Sequence, residues 1–337
     1  MSTPYLAKLK SVFASAHTRE LRGHKQKVLT VGWNNDGRKL ASGSADQTAR
    51  VYTSVERTSS KDAIELKAHT GDVDQLCWDP THPDRLATAS LDSSIMIWDI
   101  RTADKTRTHP YARKVSTTGE NINICWSPDG RHIAVGNKED MVSFIDPRGG
   151  GDSKSEKKYI WHTIKNDVEI NEISWNYAGD LFFMTTGQGT VKVLEFPQFK
   201  PVLDLTAHTA NIYCVEFDPR GKYFATGSAD ALICLWDIEE FICVRTFGKL
   251  EWPIRTISFS YDGELIASGS EDRIIDISAV ETGESVHTIQ CNAAMNSVAW
   301  HPTKHILAYA GDDVGGRDHK TPEGNLRVFG VSSSSSS

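Results

Sequence analysis

Residues 68–99 read AHTGDVDQLCWDPTHPDRLATASLDSSIMIWD. Three short apolar runs, VDQLCW, RLATAS and SIMIWD, are separated by segments rich in Asp, Pro, Thr and Ser. Runs of this length between turn-forming residues read as β-strands, because a helix needs ten or more residues at a 3.6-residue period. One small sheet of such strands cannot bury both of its faces alone. The unit must recur, and it does.

Aligned on one large aromatic, the chain gives Trp33, Trp78, Trp126, Trp175, Phe217, Phe259 and Trp300, spaced 45, 48, 49, 42, 42 and 41 residues apart. Five positions upstream of six of them stands an apolar anchor: Val28, Val73, Ile170, Ile212, Ile254 or Met295. The third unit has Asn121 there and Ile122 one residue later, so Ile122 is taken as its anchor. Turns such as NNDG, SPDG and SYDG follow the aromatic, then small-residue strands such as LASGS, LATAS and IASGS. Seven repeats of short strands predict an all-β, seven-bladed β-propeller, in which radial stacking hides the sheet faces. The segment TRELRGH (18–24) matches the outer strand that ends other units and is expected to pair into the last blade. The propeller is therefore placed at 17–331, after an N-terminal extension at 1–16 that is flexible or partner-docking, and before a disordered polyserine tail at 332–337.

Units two and five carry the full pattern of the WD-repeat family, which they resemble. Unit five reads AHTANIYCVEF…FATGSADALICLWD, and unit one is close, with Tyr52 where the family has Trp. The resemblance implies a buried hydrogen-bonded network in each. Its members are His69, Thr88, Asp92 and Trp98 in blade two, and His208, Thr226, Asp230 and Trp236 in blade five. Blade one supplies His24, Ser42 and Asp46. Isolated, these His–Asp pairs suggest acid–base catalysis; their identical placement in separate repeats assigns them to holding loops onto strands.

The net charge of −7 and pI near 5.9 exclude a strongly basic nucleic-acid binder, since phosphate affinity rests on Lys and Arg. No apolar run is long enough to cross a bilayer. The six cysteines form no CxxC pair, which reads as reduced thiols in a nuclear or cytosolic protein. GGGDSKS (149–155) lacks the order of a phosphate-binding loop, and His301 and His305 have no Cys pair beside them. Neither an enzyme nor a bound cofactor or metal is expected. RTADKTRTHPYARK (101–114) holds Lys105, Arg107, Arg113 and Lys114, either as a solvated loop or as a contact to RNA or an acidic partner. WDIR (98–101) resembles the motif by which WD proteins dock on the cullin-4 ubiquitin ligase adaptor, and this is the alternative function, substrate recruitment.

GENINICWSPDG (119–130), EINEISWN (169–176), WPIRTISFSYDG (252–263) and SVAWHPTKHILAYAGDD (297–313) closely resemble the THO complex subunit 3 family, across roughly residues 17–330. That resemblance implies a non-catalytic nuclear scaffold of the THO/TREX assembly, which couples transcription and mRNA processing to mRNA export. Its partners would be other THO subunits, with the TREX helicase and export adaptors reached indirectly and RNA contact weak or indirect. Residues beside the anchors form a candidate partner-binding rim: Asn121, Asn123, Asn171, Asn211, Tyr213, Arg255 and Asn296, with Trp252 nearby. Trp, Tyr and Arg are the types enriched in binding hot spots. The asparagines have a second reading, as groups that satisfy loop backbone.

Overall fold

The structure is a computed structural model, and it describes residues 3–53, 55, 63–102, 111–149, 159–315 and 323–331. Seven antiparallel four-stranded sheets form the blades of a propeller. Their innermost strands are Val28–Trp33, Val73–Trp78, Asn121–Trp126, Ile170–Trp175, Ile212–Phe217, Ile254–Phe259 and Met295–Trp300. Each touches the innermost strands of both neighbouring blades, and the seventh touches the first, so the ring closes. The closing sheet is completed by His17–His24, which pairs antiparallel with Glu323–Val331. The outer strand expected of TRELRGH is thus in place.

Small residues in the second strands follow from how closely the blades approach near the axis. A Cβ on Gly43 would lie 2.7 Å from Thr30 of its own blade and 2.7 Å from Val73 of the next, and one on Gly227 2.6 Å from Ile254. The turn after the inner strand has its own demand. Gly37, Gly130, Gly179, Gly221 and Gly263 have φ between 63° and 76°, a left-handed conformation that costs a Cβ-bearing residue energy. The apolar anchors are fully buried or nearly so, and each contributes on the order of 1.5–3 kcal/mol through burial.

Residues 1–16 read from sequence as a flexible or partner-docking extension; in the structure Thr3–Ala14 is a helix, α1, seated on the ring. Its Leu6, Leu9 and Phe13 stripe enters the apolar core shared by blades six and seven. Phe13 is surrounded by His287, Trp300, His305 and Phe329, with ring centroids 5.8–6.2 Å away. Lys10 pairs with Glu284 and Tyr5 donates to Asp262. The helical spacing of the stripe matches an apolar seat, and that seat orders the segment. The polyserine tail, Lys105, Arg107 and residues 150–158 and 316–322 lie outside the described residues.

Blade three corrects the sequence register. Asn121 pairs with Asn137 as Val28 pairs with Ser44 and Val73 with Ser90, so Asn121, not Ile122, occupies the anchor position. It is wholly buried there and does not belong to the rim.

Candidate partner-binding rim and central channel

Three histidines fix loops to blades. In blade two Trp98 Nε1–H donates to Thr88 Oγ1 at 2.9 Å, His69 Nε2 lies 2.7 Å from the same hydroxyl, and His69 Nδ1 lies 2.9 Å from Asp92. The neutral Nδ1–H tautomer satisfies every member: His69 donates to Asp92 and Thr88 donates to His69. Burial works to raise the Asp92 carboxyl, but hydrogen bonds from His69, Ser94 and the Thr70 amide hold it well below the usual range. Blade five repeats the chain, with His208 3.1 Å from Asp230 and 2.8 Å from Thr226, which takes a 3.0 Å bond from Trp236. Blade one has His24 2.9 Å from Asp46 and 2.8 Å from Ser42. The Tyr52 hydroxyl, at the Trp position, makes no hydrogen bond of normal geometry.

Blade three replaces the histidine with Thr117, whose Oγ1 donates to Asn121 Oδ1 at 2.8 Å and lies 3.0 Å from Ser93 O. The odd polar opening of its inner strand therefore ties down the preceding loop. Blade six has Leu250 at the histidine position, and Asp272 alone accepts the Glu251 and Trp252 amides, at 2.9 and 3.0 Å. This leaves the Trp252 ring free to point outward, 57% exposed.

The inner strands build a central channel in tiers. Second positions form the mouth: Leu29, Asp74, Ile122, Asn171, Tyr213, Arg255 and Asn296. Third positions, among them Gln75, Asn123, Glu172 and Thr256, lie below, and Glu216 stands two residues deeper. The cavity they line measures about 490 Å³. Asn171, Tyr213, Arg255 and Asn296 thus come together at the mouth. Asn123 is instead a buried residue of the second tier, donating at 2.7 Å to Asn171 O across the blade boundary. Asn211 stands just outside the mouth, its carbonyl accepting from the Ala229 amide.

Two sectors of the rim differ in chemistry. Arg255 donates to Glu271 (2.8 Å), Asn296 (3.0 Å) and Asp312 (3.2 Å), and Lys27 reaches Asp312 at 3.6 Å, so a charge network crosses blades six, seven and one. Blade five and its loop to blade six instead expose Tyr213, Leu232 and Trp252. Leu232 was not singled out from sequence, although it follows the blade-five Asp by two residues. Glu172 and Glu216 were also missed; the available signal was an acid inside an otherwise closed six-residue strand, INEISW or IYCVEF.

Arg101 of WDIR folds back on Asp99 through two bonds of 3.0 and 2.7 Å. Arg148 of IDPR makes the same fork on Asp146, at 3.1 and 3.2 Å. The Asp-x-Arg turn is therefore a recurring strand-end device, at the opposite end of the blade from the Asp92 turn. Arg113 donates to the Tyr159 hydroxyl at 2.9 Å, and Lys114 is half-buried in the outer strand Arg113–Ser116.

The family model for the THOC3 beta-propeller domain matches residues 24–310, most of the ring. The chain belongs to the THOC3 β-propeller family. It is 54% identical over 323 residues to THO complex subunit 3 of Arabidopsis thaliana, covering 96% of this chain and 98% of that protein. It is 37% identical to WD repeat-containing protein AAC3 of Dictyostelium discoideum, covering 95% of this chain and 68% of that one. Similarity extends at 24% identity to eukaryotic translation initiation factor 3 subunit I of Drosophila virilis, over 87% of this chain and 94% of that one. The propeller of this family is non-catalytic, and the His–Asp pairs serve its blades.

Proposed function

We propose that the chain is a scaffold subunit of a THO complex in the nucleus, coupling transcription and mRNA processing to mRNA export through protein–protein contacts. The observation that supports this most is the 54% identity to a THO complex subunit 3 along nearly the whole of both chains. Its direct partners are other THO subunits; the TREX helicase and export adaptors are reached through them. The contact surface is the rim sector of Tyr213, Leu232 and Trp252 beside Arg255, where exposed aromatics flank a fixed charge network. Large aromatics and arginine dominate binding energy when a partner covers them. RNA contact is weak or indirect, in keeping with the acidic balance of the chain.

Affinity purification from nuclei with mass spectrometry tests the reading. The expected outcome is recovery of THO subunits, and loss of at least about tenfold in affinity for Trp252→Ala with Tyr213→Ala, corresponding to about 1.4 kcal/mol or more. Recovery of the cullin-4 adaptor without THO subunits, abolished by Arg101→Ala, overturns it in favour of ligase recruitment.

A further inference from the structure

The channel below the mouth is unusual in its balance of charges. Glu172 Oε2 accepts from Gln75 Nε2 at 2.8 Å and Glu172 Oε1 from the Ile173 amide at 3.0 Å. Glu216, on the adjacent blade, makes no hydrogen bond to the described residues. Among the described residues no lysine or arginine pairs with either carboxyl, and Glu172 lies close enough to raise the Glu216 carboxyl further. The cations near the mouth are already engaged: Arg255 is shared among Glu271, Asn296 and Asp312, Lys27 reaches Asp312, and Lys138 pairs with Glu120. Asp74 adds a third carboxyl at the mouth.

A cavity of about 490 Å³ is within the ~300–1,000 Å³ range of ligand sites. An acceptor-rich cavity whose lining cation is already taken up by rim partners selects a donor that brings positive charge. Among the described residues no three acidic, His or Cys side chains converge as a metal ion needs, so the complementary group is a hydrogen-bonding organic cation. We propose that the central channel receives one cationic side chain, a lysine ammonium or an arginine guanidinium, from a protein partner seated on the rim, with Glu172 and Glu216 as its acceptors. The proposal deepens the scaffold reading and rests on it for the identity of the partner. The acids are poised for such an occupant: burial pushes the Glu172 carboxyl up to about 7 and the Glu216 carboxyl up to about 8, and a cation seated beside them favours their charged forms.

The test uses the full chain with butylammonium or methylguanidinium chloride as probe and butanol or methylurea as the neutral controls. At pH 8 the charged probes should raise the melting temperature in a saturable way and the controls should not, since ligand binding to the folded state stabilises it. Glu172→Gln with Glu216→Gln keeps side-chain shape and should weaken probe binding at least about tenfold while the ring stays folded, as its circular dichroism would report. No saturable effect of either cation on the wild type, or equal binding by the variant, overturns the proposal. Capture of THO subunits is measured in parallel. If the wild type captures them and the double variant does so with unchanged affinity, channel insertion is wrong and the scaffold reading stands. If the wild type captures none, the scaffold reading fails, and the probe titration still decides whether the channel takes a cation.

Discussion

Asp92 and Glu216 are both acids at the core of a blade structure, and their surroundings treat them in opposite ways. Asp92 accepts from His69, Ser94 and the Thr70 amide, so its charge is favoured although it is largely buried. Glu216 faces the channel with no hydrogen bond to the described residues, and burial pushes it up to about 8. A satisfied acid is part of the architecture, because any change leaves partners stranded. An unsatisfied one weakens the ring whenever it is charged. The two sets of acids therefore make opposite predictions for stability.

The largest effect is expected from Asp92→Ala. It strands His69 Nδ1–H, the Thr70 amide and the Ser94 hydroxyl in one place, and should cost about 3 kcal/mol. Urea unfolding reads this as a lower midpoint at unchanged slope. A loss below about 1 kcal/mol would show that blade two does not depend on its network.

Next in size is Glu216→Gln, expected to stabilise the ring by about 2 kcal/mol at pH 8.5, less than half the linkage value because solvent reaching the half-buried side chain screens its charge, and to be nearly neutral at pH 5. A carboxyl whose pKa is raised on folding binds its proton more tightly in the folded state. Its folded state is therefore favoured below the ordinary carboxyl range near 4, and stability falls as pH climbs toward about 7 for Glu172 and about 8 for Glu216. Asp46 and Asp92 run the other way, since their pKa values fall on folding. Their contribution is full above about pH 4 and is lost on acidification. Melting curves from pH 3 to pH 9 should show both slopes in the wild type, with the alkaline one reduced in Glu216→Gln. An unchanged alkaline slope would break the contrast.

A smaller effect separates complete and incomplete networks. Trp98→Phe removes the donor to Thr88 and three ring atoms' worth of packing, and should cost about 2 kcal/mol. Tyr52→Phe removes a buried hydroxyl that has no partner of normal geometry, and should cost nothing or stabilise slightly. Equal costs from the two, read by thermal melts, would mean that Tyr52 closes the blade-one network after all.

These contrasts also mark what the residues alone disclose. The His–Ser/Thr–Asp sets were legible because the same residue chemistry recurs at offsets that differ by at most one residue, 22 or 23 from His to Asp, and each bond is made within one blade. The closing strand was legible because 18–24 repeats the pattern of other outer strands. The seat for Leu6, Leu9 and Phe13 was not, since it is assembled from blades six and seven, which only the closed ring brings together. The channel tiers were hidden for the same reason: Glu172 and Glu216 are neighbours only after radial stacking. Blade three misleads because the irregularity after the first residue of every inner strand, as between Val28 and Thr30 or between Asn121 and Asn123, leaves no mark on spacing. An apolar Ile122 beside a polar Asn121 then points to the wrong anchor.

Asn121→Val is the finest test of that correction. Valine stands at the same register in blades one and two, against the same kind of partner strand. The change removes Asn121 Nδ2, which is buried without a partner, and deletes the acceptor of one Thr117 bond. Thr117 keeps Ser93 O at 3.0 Å, so its hydroxyl is not stranded. Relief of one unsatisfied group and loss of one hydrogen bond are each about 1 kcal/mol, and they should cancel to within about 0.5 kcal/mol. Because Asn121 is wholly buried, capture of THO subunits should be unchanged, whereas Tyr213→Ala at the exposed mouth should weaken it. Reduced capture by Asn121→Val at unchanged stability would return this residue to the rim and restore the register read from sequence.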